Sequence, residues 1–500
     1  MYFCLKTRTF VAQTNILMSE SLKEKTAKGI FWGAMSNITL QLVGVVFGIM
    51  LGRILSDEDY GMMAMIAIFQ LVAIALQNSG FTVAISNMKS PTHDDYNAVF
   101  WFNILVGGTL YILLFLSAPL IAAFYDTPAL TSLCRYSFLG ILFASFGTAQ
   151  SAWLFKNLHA KQQAKANIVA VLLSSVTGVL MAWGGFRYWS LATQSLVYIL
   201  LCTLLYWHYS PWRPSVHHIT FVPVRRMFKF SFKILLTTLI TQVNNNVLNI
   251  LLGRLYTKHD VGQYNQAYQW DSKGFQLVQS IVNQVAQPVL VELKNEADRQ
   301  LHAFRKMMRF SAFLSFPLLL GLGLVSREFI VLTITEKWLP SAQLLRLLCV
   351  SGAIFPLITL MSNLIISKGK ANVYLGCTVA LGVLQIILML LLWPYGIRNM
   401  VIAYVCLNVS WLFVWFYFVR KSTGYTLPQF FKDVLPFAVS ASGVMIATYY
   451  ATLGITHPLP LLVVRVVMAA ILYYVIMRIA KAEILRECQT AILSKWKKKH

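Results

Sequence analysis

The sequence predicts an all-α integral membrane protein of about 14 transmembrane helices. Three observations predict it. Of its 500 residues 57% are hydrophobic and only 12% charged, about half the charged share of an average soluble domain. Apolar runs of spanning length, about 20 residues each, recur along the whole chain with short connectors between them. Basic residues collect on alternate connectors, as they do when one side of a bilayer is cytoplasmic.

Taken in order, the predicted spans are 30–55, 62–88, 97–123, 129–154, 167–186, 189–209, 230–256, 264–289, 310–334, 342–367, 372–393, 399–419, 433–453 and 459–480. Turn formers punctuate the connectors, among them Asp126-Thr127-Pro128, Pro340 and Pro394-Tyr395-Gly396. With the N-terminus inside, the inner segments hold thirty Lys and Arg and the outer ones four, Arg187, Lys258, Lys337 and Arg398. That asymmetry places both termini in the cytoplasm. The net charge of +24 therefore reads as an orientation signal, and nucleic acid is not expected as a partner. Seven scattered cysteines without a CxxC pair imply neither a disulfide framework nor a zinc site.

Residues 1–28 read as a cytoplasmic segment without a signal peptide, and Met18 is a natural alternative start because Ser21 and Glu24 make a capping-box pattern. Self-similarity organises the rest. Leu51-Gly52-Arg53, Asp59 and Gly61 recur 201 residues later as Leu252-Gly253-Arg254, Asp260 and Gly262, as do Phe31/Phe232 and Gln41/Gln242. A second anchor, at an offset of 205, pairs Lys165-Ala166-Asn167 with Lys370-Ala371-Asn372 at the starts of spans five and eleven. Six spans separate the copies, which implies parallel repeats, a transporter architecture with substrate between the halves. The expected organisation is an N-lobe (29–209), a cytoplasmic linker (210–229), a C-lobe (230–420), an appended helix pair (421–480) and a basic tail (481–500).

Polar stripes inside spans mark the candidate site, since amides and charges facing lipid are costly. In span eight Gln269, Lys273, Gln276, Ser280, Asn283 and Gln287 fall on one helical face. Span seven carries Thr238, Gln242, Asn245 and Asn249, and span one carries Asn37 and Gln41 at matching places. These side chains either line a hydrophilic cavity or hydrogen-bond between helices. Lys273 is the leading candidate for holding an anion, with Arg135 and Arg346 near the outer ends of spans four and ten beside it. For the two arginines, snorkelling to the interface is the competing reading. Asp271 is the one carboxylate deep in a span and points away from the Lys273 stripe. It is a candidate for a coupling ion, H+ or Na+, or else an interhelical hydrogen-bonding group. No HExxH, P-loop or GxSxG pattern occurs, so neither enzyme chemistry nor a cofactor or metal is expected.

Ser21-Leu22-Lys23-Glu24-Lys25-Thr26, Leu51-Gly52-Arg53 with Asp59-Tyr60-Gly61, Glu336-Lys337-Trp338-Leu339-Pro340 and Lys368-Gly369-Lys370 carry a resemblance to a known family. From Met18 onward the chain resembles the polysaccharide-transport (Wzx-type) branch of the MOP, or MATE-like, superfamily. The resemblance implies two six-helix lobes plus two extra helices and alternating access through a cationic cavity. It implies flipping of undecaprenyl-pyrophosphate-linked repeat units of O-antigen, capsule or exopolysaccharide to the periplasmic leaflet, driven by an ion gradient. Membrane lipids and other polysaccharide-assembly proteins are the implied partners. The alternatives are a MATE-type small-molecule antiporter, a peptidoglycan-precursor flippase, and a non-transporting scaffold of polysaccharide assembly.

Overall fold

The computed structural model describes residues 32–486 apart from 33, 34, 38, 79–84, 86, 87, 89, 90, 158, 217 and 218. Met18, the Ser21–Glu24 box, Phe31, Lys89 and the end of the basic tail lie outside the described residues. Among those described the secondary structure is helical, with no strand. Among the described residues eleven helices are long and apolar enough to cross a membrane, twelve if one bent pair counts as a single span. This is a multi-pass membrane protein. Its contacts divide into two compact units, Met1–Val243 and Asn244–His500.

Unit 1 begins with α1 (Met35–Ile54) and α2 (Asp57–Asn78). α2 starts five residues before the apolar run at 62 because Ser56 caps it. The Asp59 amide donates to Ser56 Oγ (3.2 Å), while Asp59 Oδ2 accepts from the Ser56 amide (3.0 Å). α3 (His93–Phe124) follows behind a capping box of Thr92 and Asp95. The fourth predicted span is corrected: it is not one helix but α4 (Leu130–Ser137), α5 (Leu139–Ser145) and α6 (Thr148–Lys156), bent by 44° at the second break. Irregular backbone at membrane depth needs its carbonyls satisfied. Hydroxyls do this here, with Thr203 Oγ1 donating to Phe143 O (3.1 Å), Thr148 Oγ1 to Ala144 O (3.1 Å) and Ser145 Oγ to Ile141 O (2.9 Å). The hairpin α7 (Ala160–Trp183) and α8 (Tyr188–Tyr209) closes the unit. Lys165 lies inside α7, whereas its sequence counterpart Lys370 is the N-cap of α15.

The connector after α8 is held to α3. The Ser215 amide donates to Asn97 Oδ1 (2.9 Å), and Trp101 Nε1 donates to Ser215 O (2.9 Å). α9 (Val222–Leu255) then starts eight residues ahead of its predicted span and runs across the division of the units.

Unit 2 holds α10 (Lys258–Glu292), α11 (Ala297–Leu324), α12 (Ser326–Ile334), α13 (Leu339–Gly352), α14 (Phe355–Ser367), α15 (Ala371–Leu392), α16 (Ile397–Thr423), α17 (Leu427–Ala451) and α18 (Pro458–Ile479). Thr257 and Asp260 form the same capping box at the start of α10 that Ser56 and Asp59 form at the start of α2. The ninth predicted span (310–334) divides into α11 and α12, and α11 starts thirteen residues early because its first turns are polar (Asp298, Arg299, Arg305). The tenth divides into α13 and α14, where Pro356 in the first turn of α14 has no amide to extend the preceding helix. Ser315 Oγ donates to Ala353 O (2.6 Å) at that break.

The appended pair docks on the unit. α17 packs along α11, and α18 against α12 and α17. At one end Arg305 holds buried Asp433 in a two-pronged ion pair (2.7 and 3.1 Å), with the Tyr425 hydroxyl donating to the same carboxylate (3.0 Å). Burial, and then the charge of Asp433, push the Tyr425 phenol well above its ordinary pKa. At the other end Arg465 of α18 pairs with Glu328 of α12 at 3.1 Å, both side chains only 8% exposed.

Candidate functional site

The polar helix α10 organises the site in unit 2. Its 35 residues span about 52 Å at about 1.5 Å per residue, longer than a bilayer's roughly 30 Å hydrocarbon core. Tyr264, Ala267, Trp270, Phe275, Val278 and Val282 form a buried face in a helix that packs on α11, α13 and α14. On the other side Gln276 and Asn283 are exposed, and Gln269, Lys273 and Ser280 are half-buried. Exposed Leu277 and Ile281 lie beside them. The expected stripe is therefore present but is bordered by apolar side chains, and the Gln287 side chain lies outside the described residues.

The members of the stripe are held in different ways. Lys273 Nζ stands 4.3 Å from the centroid of the Trp270 ring, a cation–π contact that braces the ammonium along the helix. Asn283 Oδ1 accepts from Asn363 Nδ2 (2.8 Å). One turn back, Gln279 Nε2 donates to Thr359 Oγ1 (2.8 Å). The far end of α10 is therefore bonded to α14, while Gln276 keeps an exposed amide.

Asp271 turns the other way, as its helical position implies. It is 1% exposed, and no N–H or O–H group donates to either carboxylate oxygen. It lies against the end of α13, so close to Gly352 that a Cβ there would stand 2.2 Å from Oδ1. The buried Cys349 thiol is a polar group close by. A carboxylate enclosed in this way is costly while charged.

In α9, Thr238 and Gln242 are half-buried, Asn245 is exposed, and Asn249 is buried with Oδ1 lacking a partner. Asn244, one residue off that stripe, fastens the helix to α15 through Nδ2 to Thr378 O (2.6 Å). Arg346 on α13 is exposed and lines a crevice with Glu328 and Arg465.

Unit 1 holds the remaining candidates. Asn37 is exposed and Gln41 half-buried on α1. The Arg135 guanidinium stacks 4.4 Å from the Phe115 ring centroid, and its Nε donates to Phe115 O (3.5 Å). A cavity of about 720 Å³ lies among Gln70, Ser137, Ser174, Gln194 and Tyr198. Gln70 Nε2 donates to Ser137 O (3.1 Å) and Gln194 Nε2 to Ser175 Oγ (3.3 Å). No charged residue lines it.

Sequence reasoning passed over the Glu328–Arg465 and Arg305–Asp433 pairs. The available signal was Arg465 itself, a lone arginine six residues inside an apolar span, which needs a partner in the bilayer.

Residues 50–343 match the polysaccharide biosynthesis protein family, and the chain belongs to that family. The teichuronic acid biosynthesis protein TuaB of Bacillus subtilis is 28% identical over 358 residues, covering 70% of this chain and 73% of the relative. The lipopolysaccharide biosynthesis protein WzxC of Escherichia coli is 24% identical over 71% of this chain and 72% of its own. Among solved structures, the lipid II flippase MurJ in an inward closed conformation superposes with a TM-score of 0.74 at 14% identity, covering 91% of this chain and 99% of that one. A multidrug MATE transporter of the MOP superfamily, inward-facing, gives 0.63 at 14% identity over 77% and 94%. The chain has the fold of these transporters.

Proposed function

We propose that this member of the polysaccharide biosynthesis protein family flips a lipid-linked oligosaccharide across the bacterial inner membrane. The observation that carries the reading is α10, a membrane-length helix whose exposed side presents amides and a lysine while its other side packs on spanning helices. Such a side is stable only against water, substrate or protein. Amides suit sugar hydroxyls, and Lys273 suits a phosphate. TuaB and WzxC, named for teichuronic acid and lipopolysaccharide biosynthesis, support the class of cargo.

The proposed topology has fourteen crossings: the eleven apolar helices, the bent α4–α6, and the two polar helices α9 and α10. Both termini face the cytoplasm, because the basic connectors then lie inside. The matched capping boxes 201 residues apart support two parallel repeats, with α17 and α18 as an addition. The coupling ion we assign is a proton, carried by Asp271. A single carboxylate buried against Gly352 and the Cys349 thiol is costly while charged, and it can release a proton when water reaches it.

Lipid-linked oligosaccharide topology in cells tests the function. Deleting the gene is expected to trap the glycolipid on the cytoplasmic leaflet, and Lys273→Ala, at normal protein levels, to slow its appearance outside. Normal distribution without the protein, in a strain with no second flippase, would remove the flippase reading.

A further inference from the structure

We propose that unit 2 carries a binding site for one anionic phospholipid where α11–α13 meet the appended helices α17 and α18. The site has two joined compartments. A polar one of about 500 Å³ is lined by Arg327, Glu328, Gln343, Arg346, Thr452 and Arg465. An apolar one of about 450 Å³ continues from it between Leu320, Val350, Met445, Ile446 and Tyr450. Gly323, Leu324, Arg346 and Tyr449 belong to both, so the two form one continuous groove.

The charges in the polar compartment do not cancel. Glu328 and Arg465 are buried and paired at 3.1 Å, and Arg465 Nε also donates to Thr452 Oγ1 (3.1 Å). That pair is a fixed neutral wall. Arg327 and Arg346 are exposed and, among the described residues, have neither an ion-pair nor a hydrogen-bond partner. Two guanidinium groups without a counter-charge, beside a wall already neutral, fit a phosphodiester, which each can bind through parallel N–H···O bonds.

The apolar compartment identifies the phosphodiester's carrier. Its rim residues Ile446, Val350 and Tyr450 are 59%, 41% and 67% exposed, so the groove opens sideways rather than ending in a closed pocket. A free phosphate gains nothing from that surface. A lipid gains twice, with its phosphate on Arg327 and Arg346 and one acyl chain laid against Met445 and Ile446 while the other stays in the bilayer. The excess positive charge selects an anionic headgroup over a zwitterionic one, whose ammonium would meet the same arginines. Gly323 sits at the junction of the two compartments. This assignment goes beyond the transport reading and does not depend on it, because the ligand is a membrane component and not the cargo.

Native mass spectrometry of the full-length protein, titrated with phosphatidylglycerol, phosphatidylethanolamine or undecaprenyl phosphate, tests the site by adduct mass and needs no transport assay. Wild type is expected to retain one phosphatidylglycerol at about a tenth of the concentration needed for phosphatidylethanolamine. The Arg327→Ala/Arg346→Ala double variant, which alters only exposed side chains, is expected to lose about tenfold in that affinity. Ile446→Trp, which fills the groove and leaves every charge in place, should lose it as well. Equal retention of the two phospholipids, a double variant that binds like wild type, or retention of undecaprenyl phosphate alone would each overturn the proposal.

Discussion

The two units use buried charge differently. In unit 1 the buried carboxylates Asp59 and Asp95 sit at helix starts, where they accept backbone amides of their own turn. Its cavity has a mainly apolar lining, with amides and hydroxyls but no charged side chain. In unit 2 the buried carboxylates lie between helices: Glu328 against Arg465, Asp433 against Arg305, and Asp271 against Gly352 and the Cys349 thiol. A capping carboxylate chiefly stabilises the start of its own helix, although Asp59 also meets Arg187 of the α7–α8 connector at 3.3 Å. An interhelical one depends on where a second helix lies, so a shift between helices changes its energy by several kcal/mol. Unit 2 is therefore where a change of packing can be tied to a change of charge.

The largest expected effect on stability is at the Arg465–Glu328 pair. Arg465→Ala leaves Glu328 buried and uncompensated and should cost about 3–5 kcal/mol, read as a lower melting temperature in detergent. Arg465→Met with Glu328→Gln should recover most of the loss. An Arg465→Ala variant as stable as wild type would break the comparison, since the pair would then be no more than a surface contact.

The helix breaks sharpen it. α5/α6 in unit 1 and α13/α14 in unit 2 interrupt spans four and ten, yet their glycines face different neighbours. A Cβ at Gly352 would meet Asp271 Oδ1 at 2.2 Å, whereas one at Gly147 would meet Thr203 Oγ1 at 3.0 Å. Gly352→Ala should cost about 1–3 kcal/mol and Gly147→Ala less. In an Asp271→Ala background the cost of Gly352→Ala should largely vanish, which a double-mutant cycle of melting measurements checks.

The smallest expected effect is a shared one. Ser56→Ala and Thr257→Ala remove equivalent caps and should each cost about 1 kcal/mol. Clearly unequal losses would show that the two capping boxes, alike in sequence and geometry, are not alike in energy.

Much of this fold was legible in the sequence because the bilayer imposes length and hydropathy on each span. The capping boxes are local patterns in the sequence, Ser56 with Asp59 and Thr257 with Asp260, although the recurrence of Asp59 and Asp260 by itself reads only as a repeat. The breaks within spans four, nine and ten were not legible. Gly147 and Pro356 lie in apolar runs whose hydropathy is unchanged by a kink, and the hydroxyls that satisfy the freed carbonyls come from Thr203 and Ser315 on other helices. The Lys273 stripe could be read because polar groups at helical spacing inside an apolar segment are costly. What each member touches could not, because Asn363, Thr359 and Gly352 are distant in the chain and their approach is decided by packing. Arg465 shows the same limit, its need for a partner being visible in the sequence while Glu328 as that partner was not.

The most direct test of the central claim, that charge in unit 2 governs transport, is glycolipid flipping in proteoliposomes with and without an imposed proton gradient. Wild type, Asp271→Asn and, as the unit 1 counterpart, Gln70→Ala are compared. The gradient is expected to accelerate flipping by wild type and by Gln70→Ala, and to leave the rate of Asp271→Asn unchanged. If Asp271→Asn responds to the gradient as wild type does, the coupling role assigned to unit 2 is contradicted.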